Sequence, residues 1–385
     1  MMTNTENNEL NTLVRRRRAL HQIPETQLDL PRTAACLKNE LKNTSAEIIE
    51  LDNCGSSFLA FFDAGKEQAL AFRTDMDALP VAEKTGLDFC SRHPGKSHAC
   101  GHDGHMSILL GLADRIARRK EELPVNVVLI FQAGEETPGG ARLICEQRVF
   151  EEFNIRSVYG GHLWPMIDKG TVAVRPVEMM ARSAEVTIHI TGKSVHAARY
   201  YEGIDAMEAG ARMLLEMYQM ESALPKKDFR LLRFGKMEAG TVRNAVASTC
   251  ILEGTLRAFQ DPVFEYLVSG IEAISDKLEA ETGANIHISY SSGYPAVLND
   301  PVLTEDVLER HPEFEKPEKP EMISEDFSFY QKKAPGVFFF FGTGTGIPLH
   351  SANFDFDERV LLPAIDLFEE LIFKPLPSAF SRSQA

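Results

Sequence analysis

The chain has 385 residues, of which 44% are hydrophobic and 25% charged, and its formal net charge at pH 7 is -15. That length exceeds one simple core and implies two domains or one domain carrying an insertion, while the composition excludes a disordered class. The acidic balance argues against a nucleic-acid partner, so an anionic ligand must be met by a few local cations.

The opening twenty residues are polar and hold Arg15, Arg16, Arg17 and Arg18 without an apolar stretch behind them. They predict a first helix over 10–20 with its arginines on a solvated face, not a secretory signal. A second helix is expected over 31–41. Apolar runs at 57–62 and 69–72, a helix over 106–118, and further apolar runs at 125–131, 158–159 and 171–174 follow. Continuous apolar strands separated by helices imply an α/β domain, with a mostly parallel central sheet flanked by helices. Near residue 183 the texture changes. Val186, Ile188 and Ile190 alternate with Thr187 and His189, the mark of a half-exposed strand. Helices over 205–220 and 263–278 and strands at 231–234, 250–256 and 286–290 complete an inserted α+β unit. It is expected to have a four-stranded antiparallel sheet with two helices on one face. Buried texture resumes at 337–341 and 360–373, and 311–320 reads as a solvated loop. The expected domains are 1–182 with 294–385, and an inserted lid over 183–293. No window approaches the ~18 apolar residues of a membrane span. Six scattered cysteines without paired spacing read as reduced thiols of a cytoplasmic protein.

Potential ligands are densest at Cys100-Gly101-His102-Asp103-Gly104-His105. Thiolate and imidazole suit first-row divalent metals. Alone, the two histidines fit a loop or helix start equally simply. The adjacent acids Glu135 and Glu136 follow an apolar strand, where ligands gather in open α/β sheets. One acid can bind a metal while the other handles protons, although an isolated acidic pair usually marks a helix N-terminus. His162 and His350 each stand where a strand meets a loop. Five such donors would suit two metals that share a bridge. Gly192-Lys193-Ser194 lacks the first glycine of a phosphate-binding loop, and Gly342 to Ile347 lacks the last glycine of a dinucleotide loop.

In order, CGHDGH, a strand ending in EE, GHLWP, GKSVHAA, SEDF and LHS resemble the M20 metallopeptidase family. Together with LHQIPE and RTDMDALP they are similar to its amidohydrolase branch, which includes aminoacylases, hippurate hydrolases, auxin-conjugate hydrolases and N-acetyldiaminopimelate deacetylases. The resemblance implies two divalent ions per subunit (Mn, Zn, Co or Ni), bridged by Cys100 and completed by His102, Glu136, His162 and His350. It implies Glu135 as general base, with Asp75 and Asp77 in support. It also implies a homodimer in which His196 reaches the partner's site, with Asn244 and Arg257 holding a substrate carboxylate. The alternative reading of Arg257 is a pairing with a surface acid such as Glu253. The family's usual residues are replaced at Ala133-Gly134, Ser194-Val195, Tyr200-Tyr201 and Ala245-Val246-Ala247. The implied activity is hydrolysis of N-acyl amino acids. A dipeptidase or carboxypeptidase of the same family is the neighbouring reading, and a non-catalytic binding protein the more distant one.

Overall fold

The computed structural model describes residues 4–380. Among them, a seven-stranded sheet runs in the order Glu47–Glu50, Phe58–Phe62, Asn126–Gln132, Ala69–Asp75, Ile155–Trp164, Gly336–Gly342, Val172–Ala173. The four strands from Asn126–Gln132 to Gly336–Gly342 are mutually parallel, and antiparallel strands flank them on both sides. Ala69–Asp75, Asn126–Gln132 and Gly336–Gly342 are buried at every position, which is why they read as unbroken apolar runs. Helix His102–Arg118 packs against the strand Ala69–Asp75 and against helices Asn4–His21 and Leu361–Phe373.

A second sheet runs Asn285–Tyr290, Arg182–Thr191, Thr249–Ala258, Arg230–Ala239, all antiparallel, with helices Ala206–Ala223 and Asp261–Thr282 over it. Val186, Ile188 and Ile190 point into that core while Glu185, His189 and Thr191 stay exposed. The alternation seen in the sequence is therefore the alternation of the pleat.

The chain divides into two compact units. The second comprises Met180–Val297 and Pro320–Glu325, and the remainder forms the first. These limits differ from the expected 183–293 because backbone pairing draws in a distant segment. Met180 bridges Glu321, and the Ala181 amide faces the carbonyls of Glu321 and Ile323. The solvated loop expected at 311–320 is present, mostly exposed and without helix or strand, and it also pairs through its backbone. The Val174 amide donates to the Glu315 carbonyl at 2.9 Å and the Glu315 amide to Val172 at 3.0 Å, satisfying a two-residue edge strand.

The arginine run departs most from expectation. Arg15 and Arg18 are exposed, but Arg16 and Arg17 are 7% and 1% exposed. Arg16 pairs with Glu40 at 2.7 Å and Asp114 at 2.6 Å. Arg17 donates from Nε to Asp103 at 2.9 Å and from Nη2 to Asp355 at 2.6 Å, and stands 4.2 Å over the Phe356 ring. Guanidinium groups enter the interior here because each finds carboxylates there. Helix His102–Arg118 begins four residues before the expected start, since Gly101 at φ +86° turns the chain directly into it. Strand Glu47–Glu50 and helix Pro301–Arg310 were not foreseen. The latter opens on Asp300, whose side chain accepts the Val302 and Leu303 amides. All six cysteines are free thiols, and among the described residues no helix is long and apolar enough to cross a membrane.

Gly111 lets three helices meet. A Cβ there would lie 2.6 Å from Ile365 Cδ1 and 2.9 Å from Leu13 Cδ2. Gly111→Leu is expected to cost about 1–3 kcal/mol through overpacking, seen as a lower midpoint of the first denaturant transition. An unchanged midpoint would show slack between these helices.

Candidate metal centre

The carboxyl ends of the four parallel strands face one edge of the sheet, where open α/β folds place their ligands. Asp75 ends one strand and Asp77 lies two residues on. Glu135 and Glu136 follow Asn126–Gln132, His162 lies near the end of Ile155–Trp164, and His350 lies in the loop after Gly336–Gly342. Cys100 sits immediately before the helix that starts with His102.

These groups converge. Cys100 Sγ lies 3.3 Å from His162 Nε2 and 3.4 Å from His350 Nε2, and His350 Nε2 lies 3.2 Å from Glu136 Oε1. Donor atoms of Cys100, His102 and His162 fall within 4.8 Å of one another, as do those of Cys100, Glu136 and His350. The structure thus brings all five expected ligands into two triads that share one sulfur. Donor atoms of Glu135 stand equally close to His102 and Glu136.

Backbone carbonyls fix the imidazoles. His102 Nδ1 is 2.8 Å from the Asp77 carbonyl and His162 Nδ1 2.7 Å from the Leu163 carbonyl. A proton on each Nδ1 leaves Nε2 as a lone pair facing inward, the tautomer a metal requires. His102 Nε2 is buried and has no hydrogen-bond partner, so the donor set fits a cation in position and chemistry. His105 is different. Its Nδ1 is 2.8 Å from Asp75 and its Nε2 accepts the Leu163 amide at 2.9 Å, so neither nitrogen is available. Of the two histidines in CGHDGH, one faces the centre and the other braces it.

The electrostatics carry a conflict. Burial pushes the Cys100 thiol well above its usual range, and the charges of Glu136 and Glu135 push it further. Burial lowers His162 and His102, keeping both neutral and ligand-competent. Burial also opposes the charge on Glu136, yet the contacts with His350 and His102 hold it below the carboxylate norm. His350 is raised by that same hydrogen bond to Glu136. Divalent cations would resolve the crowding of a buried sulfur by acids.

Asp77 takes the supporting part expected of it, through contacts the sequence did not specify. Its carboxylate accepts the Glu135 amide at 2.9 Å and the Glu136 amide at 3.1 Å, while its carbonyl fixes His102. Gly134, at φ +75°, makes the turn that aims both amides at it. Beneath lies a buried network that was missed. Arg73 donates to Gln132, Asp75 and Asp326 at 2.9, 2.9 and 2.8 Å, and Tyr330 donates to Gln132 at 2.9 Å. An arginine inside an apolar strand was the available signal.

The other three expected residues lie in the second unit. His196 Nδ1 accepts the Ala198 amide at 3.2 Å, which leaves the proton on Nε2 of the neutral ring. The Asn244 carbonyl accepts the Ala197 amide at 2.9 Å, keeping it beside His196. Arg257 is not with them. It pairs in register with Ser183, at the opposite end of the sheet from Thr191. Its Nη1 donates to the Met322 carbonyl at 2.6 Å, while Glu253 stands 3.2 Å from Lys236. Tyr200 and Tyr201 are both exposed.

The model of peptidase family M20/M25/M40 matches residues 71–374. An N-acetyldiaminopimelate deacetylase from Listeria monocytogenes is 32% identical over 364 residues, covering 93% of this chain and 98% of that one. Another from Shouchella clausii is 32% identical over 367 residues, with coverage of 93% and 96%. The crystal structure of a dinuclear metal-binding peptidase of family M20 from Bacillus subtilis is similar with a TM-score of 0.84 and 27% identity, covering 97% of this chain and 99% of that one.

The two neighbouring histidines should separate by experiment. His102→Ala is expected to lower bound metal by one ion per chain. His105→Ala should keep the stoichiometry but lose about 1–3 kcal/mol, because Oδ1 of Asp75 and the Leu163 amide lose the partner that His105 supplies. Metal analysis of both variants checks this, and equal metal loss in the two would show that His105 also ligates.

Proposed function

Because the chain belongs to peptidase family M20/M25/M40, we propose that it is a metal-dependent amidohydrolase that cuts an N-acyl amino acid, such as an N-acetyl derivative, into a carboxylate and a free amino acid. The observation that carries this reading is the single buried sulfur of Cys100, shared by one triad with His102 and His162 and another with Glu136 and His350. These residues would hold two divalent ions. When bound, such ions lower the pKa of a water and polarise an amide carbonyl.

The remaining steps belong to the chain. Glu135 takes the water's proton and delivers it to the leaving amine. Asp77 supports this by gripping the backbone at Glu135 and Glu136, so the base is fixed relative to its neighbour. His196, with its proton on Nε2, is suited to donate to a developing oxyanion. Arg257 offers a planar fork for the substrate carboxylate. The register supports an assembly of two copies. Thr249 pairs with Thr191 and Arg257 with Ser183, eight residues apart, or about 27 Å at ~3.4 Å per residue. One short substrate cannot span that distance, so His196 with Asn244 and Arg257 would serve sites in different copies of the chain. The deacetylase relatives support an acetyl group as the acyl portion.

Glu135→Gln keeps the shape of the base but not its basicity. It should leave metal content nearly unchanged and lower kcat by several orders of magnitude on N-acetyl amino acids. Near-normal turnover by the metal-replete variant would refute the role, and a panel that turns over dipeptides in preference would replace the substrate class. Arg257→Lys should raise KM for N-acyl amino acids while sparing the corresponding amides, which never use the fork. Equal impairment on both would mean that Arg257 holds Met322 and not the substrate.

A further inference from the structure

We propose that Arg17 is a positioning residue for the metal centre, clamping the segment that carries Cys100 and His102 to the loop that follows His350. The inference rests on the two-metal reading above. His102 and His350 are far apart in sequence, yet the residues just beyond each of them meet on one guanidinium. Arg17 Nε donates to Asp103 at 2.9 Å, and Asp103 is adjacent to His102. Arg17 Nη2 donates to Asp355 at 2.6 Å, and Nη1 lies 3.5 Å from Glu358, both in the segment after His350. The guanidinium also covers the Phe356 ring at 4.2 Å.

The rings of that segment rest on the start of the helix. A Cβ at Gly101 would meet Phe354 Cε1 at 3.3 Å, and one at Gly104 would meet Phe356 Cζ at 2.6 Å. Both glycines therefore permit the approach that the clamp holds. At 1% exposure Arg17 is fully committed to these partners, and a lysine cannot reproduce a fork that spans two directions.

The two halves of the centre do not depend on the clamp equally. His102 sits in a helix, and both it and His162 are fixed through Nδ1 to backbone carbonyls. His350 lies in a loop at φ +65° with its side chain 53% exposed, and the Ala99 carbonyl receives its amide at 2.8 Å. Loosening the clamp should therefore release the His350 side first.

Asp355→Asn is the decisive variant, because Asp355 is 30% exposed and its loss leaves the buried Arg17–Asp103 pair in place. The wild type and the variant are stripped and titrated with Co(II), following the thiolate-to-cobalt charge-transfer band and the number of ions bound. The expected result is that one ion binds about tenfold or more weakly, the usual range for loss of an outer hydrogen-bond partner, while the other keeps its affinity and the band. In a His350→Ala background, Asp355→Asn should then have no further effect on the remaining ion. A two-ion wild type whose variant weakens both ions or neither, or an additional loss in the His350→Ala background, overturns the clamp. A wild type that takes up fewer than two ions overturns the two-metal reading, and the clamp with it.

Discussion

A buried thiol surrounded by acids is the constraint on which the rest of this molecule turns. Cys100 is 6% exposed, and the charges of Glu136, Glu135 and Asp75 all act to keep its proton on. In a low-dielectric interior such a group of negative charges repels itself strongly unless cations enter. The fold is arranged so that they can. Four parallel strands end at one edge, the imidazoles are locked in the tautomer that offers a lone pair, and the braces are groups that carry no ligand duty.

The division of labour among similar residues follows from what else each one touches. Three histidines crowd together, with the His105 and His162 rings edge to face at 4.5 Å and the His102 and His105 rings stacked at 5.3 Å. His105 spends both nitrogens on Asp75 and the Leu163 amide, whereas His102 Nε2 has no partner and His162 Nε2 faces the Cys100 sulfur. Three acidic residues of the centre differ in the same manner. Asp75 takes Arg73 and His105, Asp77 takes two amides, and Glu136 faces His350. Chemistry here is assigned by hydrogen bonds that are already made as much as by side-chain type.

How much of this could be read in advance depended on the range of the interaction. Strand Asn126–Gln132 and helix Asp261–Thr282 were legible because their periodicity is local. The five converging donors were legible because they repeat a family pattern in order. Arg17 was misread because its partners, Asp103 and Asp355, lie 86 and 338 positions away, and nothing in RRRR distinguishes the two buried members from the two exposed ones. The 311–320 stretch is the solvated loop its polarity implied, and only its backbone pairing lay beyond the sequence. Its polarity is genuine, but Glu315 uses its backbone and not its side chain to pair with the strand Val172–Ala173. Helix Pro301–Arg310 is the reverse case. Its signal, an Asp-Pro start, was local and went unused.

The short outer strands of the seven-stranded sheet have a consequence for how the chain survives its own synthesis. A parallel sheet assembled from distant segments closes slowly, and its apolar strands are sticky until it does. One border strand is two residues long, too short to template a foreign ladder, and it is capped by Glu315. The other, Glu47–Glu50, begins and ends with a carboxylate that disfavours stacking against a copy of itself. The run of four phenylalanines at 338–341 lies one strand in from the Val172–Ala173 border and is buried at every position. Misassembly would have to begin before the borders form, not after.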